Sequence, residues 1–298
     1  MITRRDIMTT TLALGAVTAA GQIGLASAAG KLSWKHLTTG QAGFFRAPVL
    51  LTGASEALLV DGGFIYPDAR VTIEAIKATG KKLNVIYVSQ SDPDFYFNLK
   101  PIKEAFPAAK VIAASETVAA IKGSVEKKLA TWGPRLKENG PQTLADVVIP
   151  EAFDGKTLTL EGEALEIVAA EGLANRRYVF SRSLNAVFGG TLVFAGVHVW
   201  TADTPTKELR AAWIANLSKM IELKPAVVVP GHMTGSSKTD LSSVEFTRAY
   251  LIAFEEELSK TKQSAVLKAA MEARFPGLGL GVALDIGAKV ATGEMQWS

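Results

Sequence analysis

Two apolar runs in this chain end in loops whose side chains are equipped for chemistry. Val85-Ile86-Tyr87-Val88 reads as a buried strand and leads into Ser89-Gln90-Ser91-Asp92-Pro93-Asp94-Phe95. Ala226-Val227-Val228-Val229 reads the same way and ends in Pro230-Gly231-His232. Carboxylates and imidazole hold divalent cations, and because the chain has no cysteine, any metal must be bound by His, Asp or Glu. An oxygen-rich ligand set favours Mn, Mg or Ca over zinc. A metal so held would polarise a carbonyl or phosphoryl oxygen and generate hydroxide. A different chemistry, nucleophilic attack by Ser89 or Ser91 with His232 as base, lacks the Gly-x-Ser-x-Gly elbow that would support it.

The elements that must position these residues follow from local pattern. Lys31–Leu37, Phe44–Leu51 and Ala57–Val60 read as strands, the last ending in Asp61-Gly62-Gly63. Apolar Val71, Ile73 and Ile76 predict a helix over Ala69–Thr79, closed by Gly80. The strand over Asn84–Val88 is followed by a short helix over Phe97–Phe106, a strand over Val111–Ala114, and a helix over Ser115–Lys137 interrupted near Gly133 and Pro134. A β-rich half follows, with strands expected at Asp146–Ile149, Lys156–Leu160, Ala164–Ala169, Arg177–Phe180, Ala186–Phe188 and Leu192–Phe194. Lys207–Leu223 is an amphipathic helix, and Leu241–Met271 is helical before a break at Gly277–Gly281.

Composition bounds the class of function. A hydrophobic content of 48% with 20% charged residues is that of a folded globule rather than a disordered chain. The net charge of +3 is spread along the chain, and the basic pairs Lys81-Lys82, Lys127-Lys128 and Arg176-Arg177 form no stripe, so nucleic acid is not an expected partner. At the front, Thr3-Arg4-Arg5-Asp6-Ile7-Met8 looks like a twin-arginine export signal, followed by a moderately hydrophobic run and the small-x-small site Ala26-Ser27-Ala28. This predicts recognition of residues 1–29 by the twin-arginine export machinery, removal of the segment, no stable membrane span afterwards, and a periplasmic or secreted protein.

The strand and loop at residues 84–99 resemble the metallo-β-lactamase superfamily, where the same strand end carries Thr-His-x-His-x-Asp-His. Aligned on the aspartate, Gln90 and Asp92 stand at the first two histidines, Asp94 is the motif aspartate, and Phe95 replaces the last histidine. Asp61-Gly62-Gly63 resembles the superfamily's early Asp-x-Gly turn, whose aspartate props the metal loop. The late Pro230-Gly231-His232 resembles its Pro-Gly-His, which places His232 at a metal position. The third histidine is expected near Ala170–Leu173, where Glu171 is the only donor, and Gly190 stands where a bridging aspartate is expected. Gly196-Val197-His198-Val199-Trp200 resembles a segment of one bacterial branch. Two readings of His198 stay open: a contact to substrate, or packing of a helix on the sheet edge.

The resemblance covers residues 31–260 and implies an α/β fold, a four-layer αββα sandwich over residues 30–262 with a helical extension over 263–298. It also implies that binuclear zinc chemistry is lost. The expected function is therefore a non-catalytic or atypical periplasmic protein that binds a small molecule, with Ser89, Ser91, Phe95 and His198 lining its pocket. The alternative is a single-metal hydrolase of an ester, lactone, amide or phosphoester, with Asp94 and His232 catalytic and Asp92, Asp94 and His232 on one divalent metal.

Overall fold

The computed structural model describes residues 32–297. The export-signal segment, residues 1–29, lies outside the described residues. Strand β2 (Val49–Thr52) runs antiparallel to both of its neighbours, β1 (Ser33–His36) and β3 (Glu56–Val60). Helix α1 (Tyr66–Thr79) returns the chain to β4 (Lys82–Tyr87), and α2 (Leu99–Ala105) returns it to β5 (Lys110–Ala113), so β3, β4 and β5 are parallel. After α3 (Ser115–Leu136), β6 (Glu151–Ala152) completes a six-stranded sheet in sequence order. The second sheet is built from β7 (Thr157–Leu160), β8 (Glu163–Ala169), β9 (Arg177–Ser181) and β10 (Ala186–Phe188). Beyond β11 (Phe194–Ala195) and α4 (Lys207–Glu222), β12 (Val227–Val228) joins it beside β10. A small parallel pair of β11 with β13 (His232–Met233) follows, and then helices α5 (Ser242–Leu258), α6 (Ser264–Arg274) and α7 (Gly281–Thr292).

Strand periodicity sorts the apolar residues into three layers of core. Val49, Leu51, Leu58, Val60 and Tyr87 of the first sheet meet Leu158, Leu165, Val179 and Phe188 of the second between the sheets. The alternate residues of the same strands, Leu50, Leu59 and Ile86, face α1, α2 and α3. Tyr178, Phe180 and Val187 face the opposite way, toward Trp213, Leu217, Tyr250 and Phe254 of α4 and α5. The result is the four-layer αββα arrangement expected from the chain. Leu267, Met271, Leu284 and Ala288 of α6 and α7 belong to this same outer core, so the C-terminal helices pack on the domain.

Three local expectations give way to specific chemistry. Phe44–Leu51 is not one strand: Phe44 and Phe45 both sit at φ 57, in the left-handed region that costs a non-glycine residue about 1–2 kcal/mol, and β2 begins only at Val49. Asp146–Ile149 is not a strand, because Asp146 closes a capping box with Thr143 and pairs with Lys100 at 2.8 Å, holding a short helical turn over Leu144–Asp146. Helix α3 runs through Gly133 and Pro134 to Leu136, since a proline in the last turn disturbs little of the ladder behind it. Among the described residues no helix is long and apolar enough to cross a membrane.

Candidate functional site

The site lies where the ends of β3 and β4 meet the loops after β10 and β12. Asp61, at φ 65, turns the chain sharply after β3, a conformation aspartate tolerates better than most residues. Its carboxylate is fully engaged. Oδ1 accepts the Ser89 backbone N–H at 2.7 Å, and Oδ2 accepts the Ser89 hydroxyl at 2.9 Å and the Gly190 N–H at 3.3 Å. Asp61 thus ties the loop after β4 to the loop after β10, which is the propping role the Asp-Gly-Gly turn suggested. Pro93 opens a single helical turn over Pro93–Phe95, which carries Asp94 and Phe95 inward as buried residues.

The centre of the site is a residue the sequence did not announce. Arg46 is 0% exposed, and its guanidinium reaches every important group around it. Nη2 pairs with Asp61 Oδ2 at 3.2 Å, Nε lies 3.8 Å from Asp94 Oδ2, and Nη1 donates to the Gly231 carbonyl at 2.6 Å. Its Cζ sits 3.5 Å from the centroid of the Phe95 ring, the side chain standing where a histidine ligand was expected. The two left-handed phenylalanines deliver Arg46 there, and Arg46 bridges His232 through the backbone. His232 is clamped between rings, with Phe194 stacked at 4.8 Å and 3° and Phe95 edge-on at 6.1 Å.

Protonation follows from this surrounding. The His232 Nδ1–H donates to the Phe44 carbonyl at 2.9 Å, which leaves the Nε2 lone pair facing Asp94 Oδ2 at 3.5 Å. Burial, reinforced by the Arg46 cation, pushes the imidazole down to about 3, so it is neutral. Burial pushes Asp94 up to about 7, against the pull of Arg46 and with a further push from Asp92. One buried guanidinium therefore faces two carboxyl groups, Asp61 and Asp94, whose protons burial holds more tightly, beside a neutral His232.

These residues do not fit the metal centre that the fold family implies. A divalent ion beside Asp94 and His232 would stand against a buried guanidinium of like charge, and only two donors would face it. Phe95 offers none. Gly190 has no room for a carboxylate: it sits at φ +74, and a Cβ there would lie 2.2 Å from the Arg177 carbonyl oxygen. Asp92 is engaged elsewhere, 3.4 Å from Lys128 Nζ and accepting from the Gln90 amide at 3.1 Å. Glu171 points outward and pairs with Lys219 on the surface. Among the described residues no three His, Cys, Asp or Glu side chains are grouped to hold an ion.

The remaining sequence-derived residues are spread around this centre. Ser89 is buried on Asp61 and accepts the Gly190 N–H at 3.0 Å, and Ser91 accepts the Asn175 amide at 2.6 Å, so each hydroxyl is bound to a partner other than His232. His198 bonds Tyr250 through Nδ1 at 3.0 Å and packs edge-on against that ring, on the side of the C-terminal helices. The rim of the cleft carries Lys128, whose Nζ also donates to the Ser91 carbonyl at 2.6 Å, and Arg176 from the loop between β8 and β9. Arg176 lies 3.9 Å from Asp203, which accepts the indole N–H groups of Trp200 at 2.9 Å and Trp297 at 2.8 Å. Burial, helped by the Asp92 charge, raises Asp203 to about 6. Arg46 had one sequence signal: a lone charge inside the apolar stretch Phe44-Phe45-Arg46-Ala47-Pro48-Val49, which a buried partner must compensate.

The chain belongs to the metallo-beta-lactamase superfamily, whose family model matches residues 43–232. Solved structures with the same fold include a metallo-beta-lactamase family protein from Thermus thermophilus, 15% identical over 88% of this chain and 91% of that one, with a TM-score of 0.59. A beta-lactamase domain protein from Burkholderia ambifaria is 14% identical over 88% of this chain and 84% of its own, with a TM-score of 0.60. A metallo-beta-lactamase from Pontibacter korlensis is 19% identical over 70% and 87%, with a TM-score of 0.53. No curated protein matches the chain significantly. At these identities the likeness extends to the fold alone.

Proposed function

We propose that this protein is a non-catalytic, exported member of the superfamily that binds a small molecule in the periplasm, its hydrolytic centre replaced by an internal cation. The observation that carries this reading is the Arg46 guanidinium, held between Asp61, Asp94 and the Gly231 carbonyl and stacked on Phe95. A fixed arginine neutralises the carboxylates a metal would otherwise neutralise, yet it supplies no open coordination position and activates no water. His232 accepts a proton only at strongly acid pH, so it is no general base near neutrality. The twin-arginine-like segment supports the assignment to the periplasm.

The test is the metal content of the mature protein, purified without a histidine tag. The reading predicts no appreciable metal and no thermal shift with excess Zn, Mn or Fe. Near-stoichiometric metal, lost in His232→Ala, would sink it and favour the one-metal hydrolase.

A further inference from the structure

The rim of the cleft holds a second buried guanidinium, that of Arg176. Arg176 is 4% exposed, and both terminal nitrogens, Nη1 and Nη2, are buried without a hydrogen-bond partner among the described residues. A guanidinium has five N–H donors in a planar fork, and leaving the terminal ones unmade in the interior is costly unless an acceptor joins them. One face of the group is already supported, since its Cζ lies 4.4 Å from the centroid of the Trp213 ring. The nearest acid does not satisfy it: Asp203 Oδ2 is 3.9 Å away, and its two oxygens are taken by the indole N–H groups of Trp200 and Trp297. Asp92, the other acid acting on Arg176, is held by Lys128 and Gln90. Both carboxylates accept hydrogen bonds from other donors, and the terminal N–H groups of Arg176 are left without an acceptor among the described residues.

The cover over this spot is slender. Trp297 lies in the stretch after α7, packs edge-on to Trp200 at 5.2 Å, and reaches Asp203 through one hydrogen bond. The same stretch is anchored behind it by Glu294, which accepts the Ser264 backbone N–H at 2.7 Å.

We propose that Arg176 anchors a subsite for a small carboxylate with an aromatic or apolar body, at the rim of the former metal cleft and closed here by Trp297. The planar fork matches a carboxylate's two oxygens, Trp213 fixes the plane in which the carboxylate lies, and Trp200 and Trp297 flank its body. Lys128, paired with Asp92 and close enough to act on Asp203, adds a second cation. This inference deepens the small-molecule-binding reading and rests on it.

The experiment titrates the mature protein with benzoate, and in parallel with benzamide, which has the same shape without the charge. The readouts are fluorescence and the five indole N–H resonances in a 15N spectrum. Benzoate should bind saturably and shift Trp200, Trp213 and Trp297 while leaving Trp34 and Trp132 in place; benzamide should shift none. Arg176→Gln should weaken benzoate at least about tenfold, and Arg176→Lys, which keeps the charge but loses the fork, should also weaken it. Trp297→Ala should speed association several-fold. No indole shift with benzoate in the unmutated protein or in Trp297→Ala would overturn the subsite, as would equal shifts with benzamide or undiminished binding by a folded Arg176→Gln. The unmutated indole spectra decide even if Arg176→Gln fails to fold. Metal content is measured on the same preparation: metal-free protein that ignores benzoate refutes this subsite alone, whereas bound metal refutes the functional reading.

Discussion

Replacing Arg46 by methionine keeps most of the side-chain volume and removes the cation. Asp61 and Asp94 would then be buried without their shared partner, and the Gly231 carbonyl would lose the donor now at 2.6 Å. Breaking one side of a buried ion pair costs about 3–5 kcal/mol, because the leftover charge has no compensation. Part of that cost is relieved by protonation, since Asp94 already sits near 7 and loses the interaction that holds it down. An acid whose folded pKa lies above its ordinary 3.8 makes the native state bind more protons than the unfolded chain, so its stability falls as pH rises through that window. The deficit of Arg46→Met, measured by urea unfolding, should therefore be about 3–5 kcal/mol at pH 8 and clearly smaller at pH 5. A deficit below about 1 kcal/mol that does not change with pH would refute the reasoning, because that is what an arginine free in solvent would give.

Further outcomes follow from the same geometry. Between about pH 4 and 6.5 the native Asp94–His232 pair and its ionised unfolded counterpart hold the same number of protons, so this pair should leave stability almost flat. Asp94, raised to about 7, makes stability fall with pH, while His232, lowered to about 3, makes it rise. His232→Gln removes the rising half, and its stability should fall relative to the unmutated protein by about 1.4 kcal/mol per pH unit across that range; parallel pH profiles would contradict the pairing. Gly190→Asp, which writes a bridging carboxylate back into the chain, should destabilise the fold and yield no metal binding, because the new Cβ meets the Arg177 carbonyl at 2.2 Å; metal analysis and a thermal melt check both. Lysines at Arg4 and Arg5 should leave the precursor in the cytoplasm, read by fractionation, and unchanged export would remove the basis for the periplasmic assignment.

The four layers were legible because each depends on a local period. Leu50 and Leu51, or Val179 and Phe180, alternate between two cores as strand geometry requires, and the apolar runs before Asp94 and His232 marked the strand ends that build the cleft. The loss of ligands at Phe95 and Gly190 was legible as residue type. What filled the gap was not. Arg46 is separated from Asp94 and Gly231 by long stretches of chain, and it enters the site only because Phe44 and Phe45 adopt left-handed conformations where strand propensity pointed to β. Arg176 looked like one half of an ordinary basic pair with Arg177, but Arg176 ends the loop after β8 and Arg177 opens β9. Arg177 turns to Glu116 at 2.7 Å, while Arg176 turns inward. Charges that meet through tertiary contact leave no periodic trace.

The central claim is that a guanidinium stands in the place of the metal. Crystals of the mature protein grown with excess zinc, measured on both sides of the zinc absorption edge, test this most directly. The account predicts planar density for Arg46 between Asp61 and Asp94 and no anomalous peak within bonding distance of His232 Nε2. A strong anomalous peak bonded to His232 and Asp94, with Arg46 displaced, would contradict it.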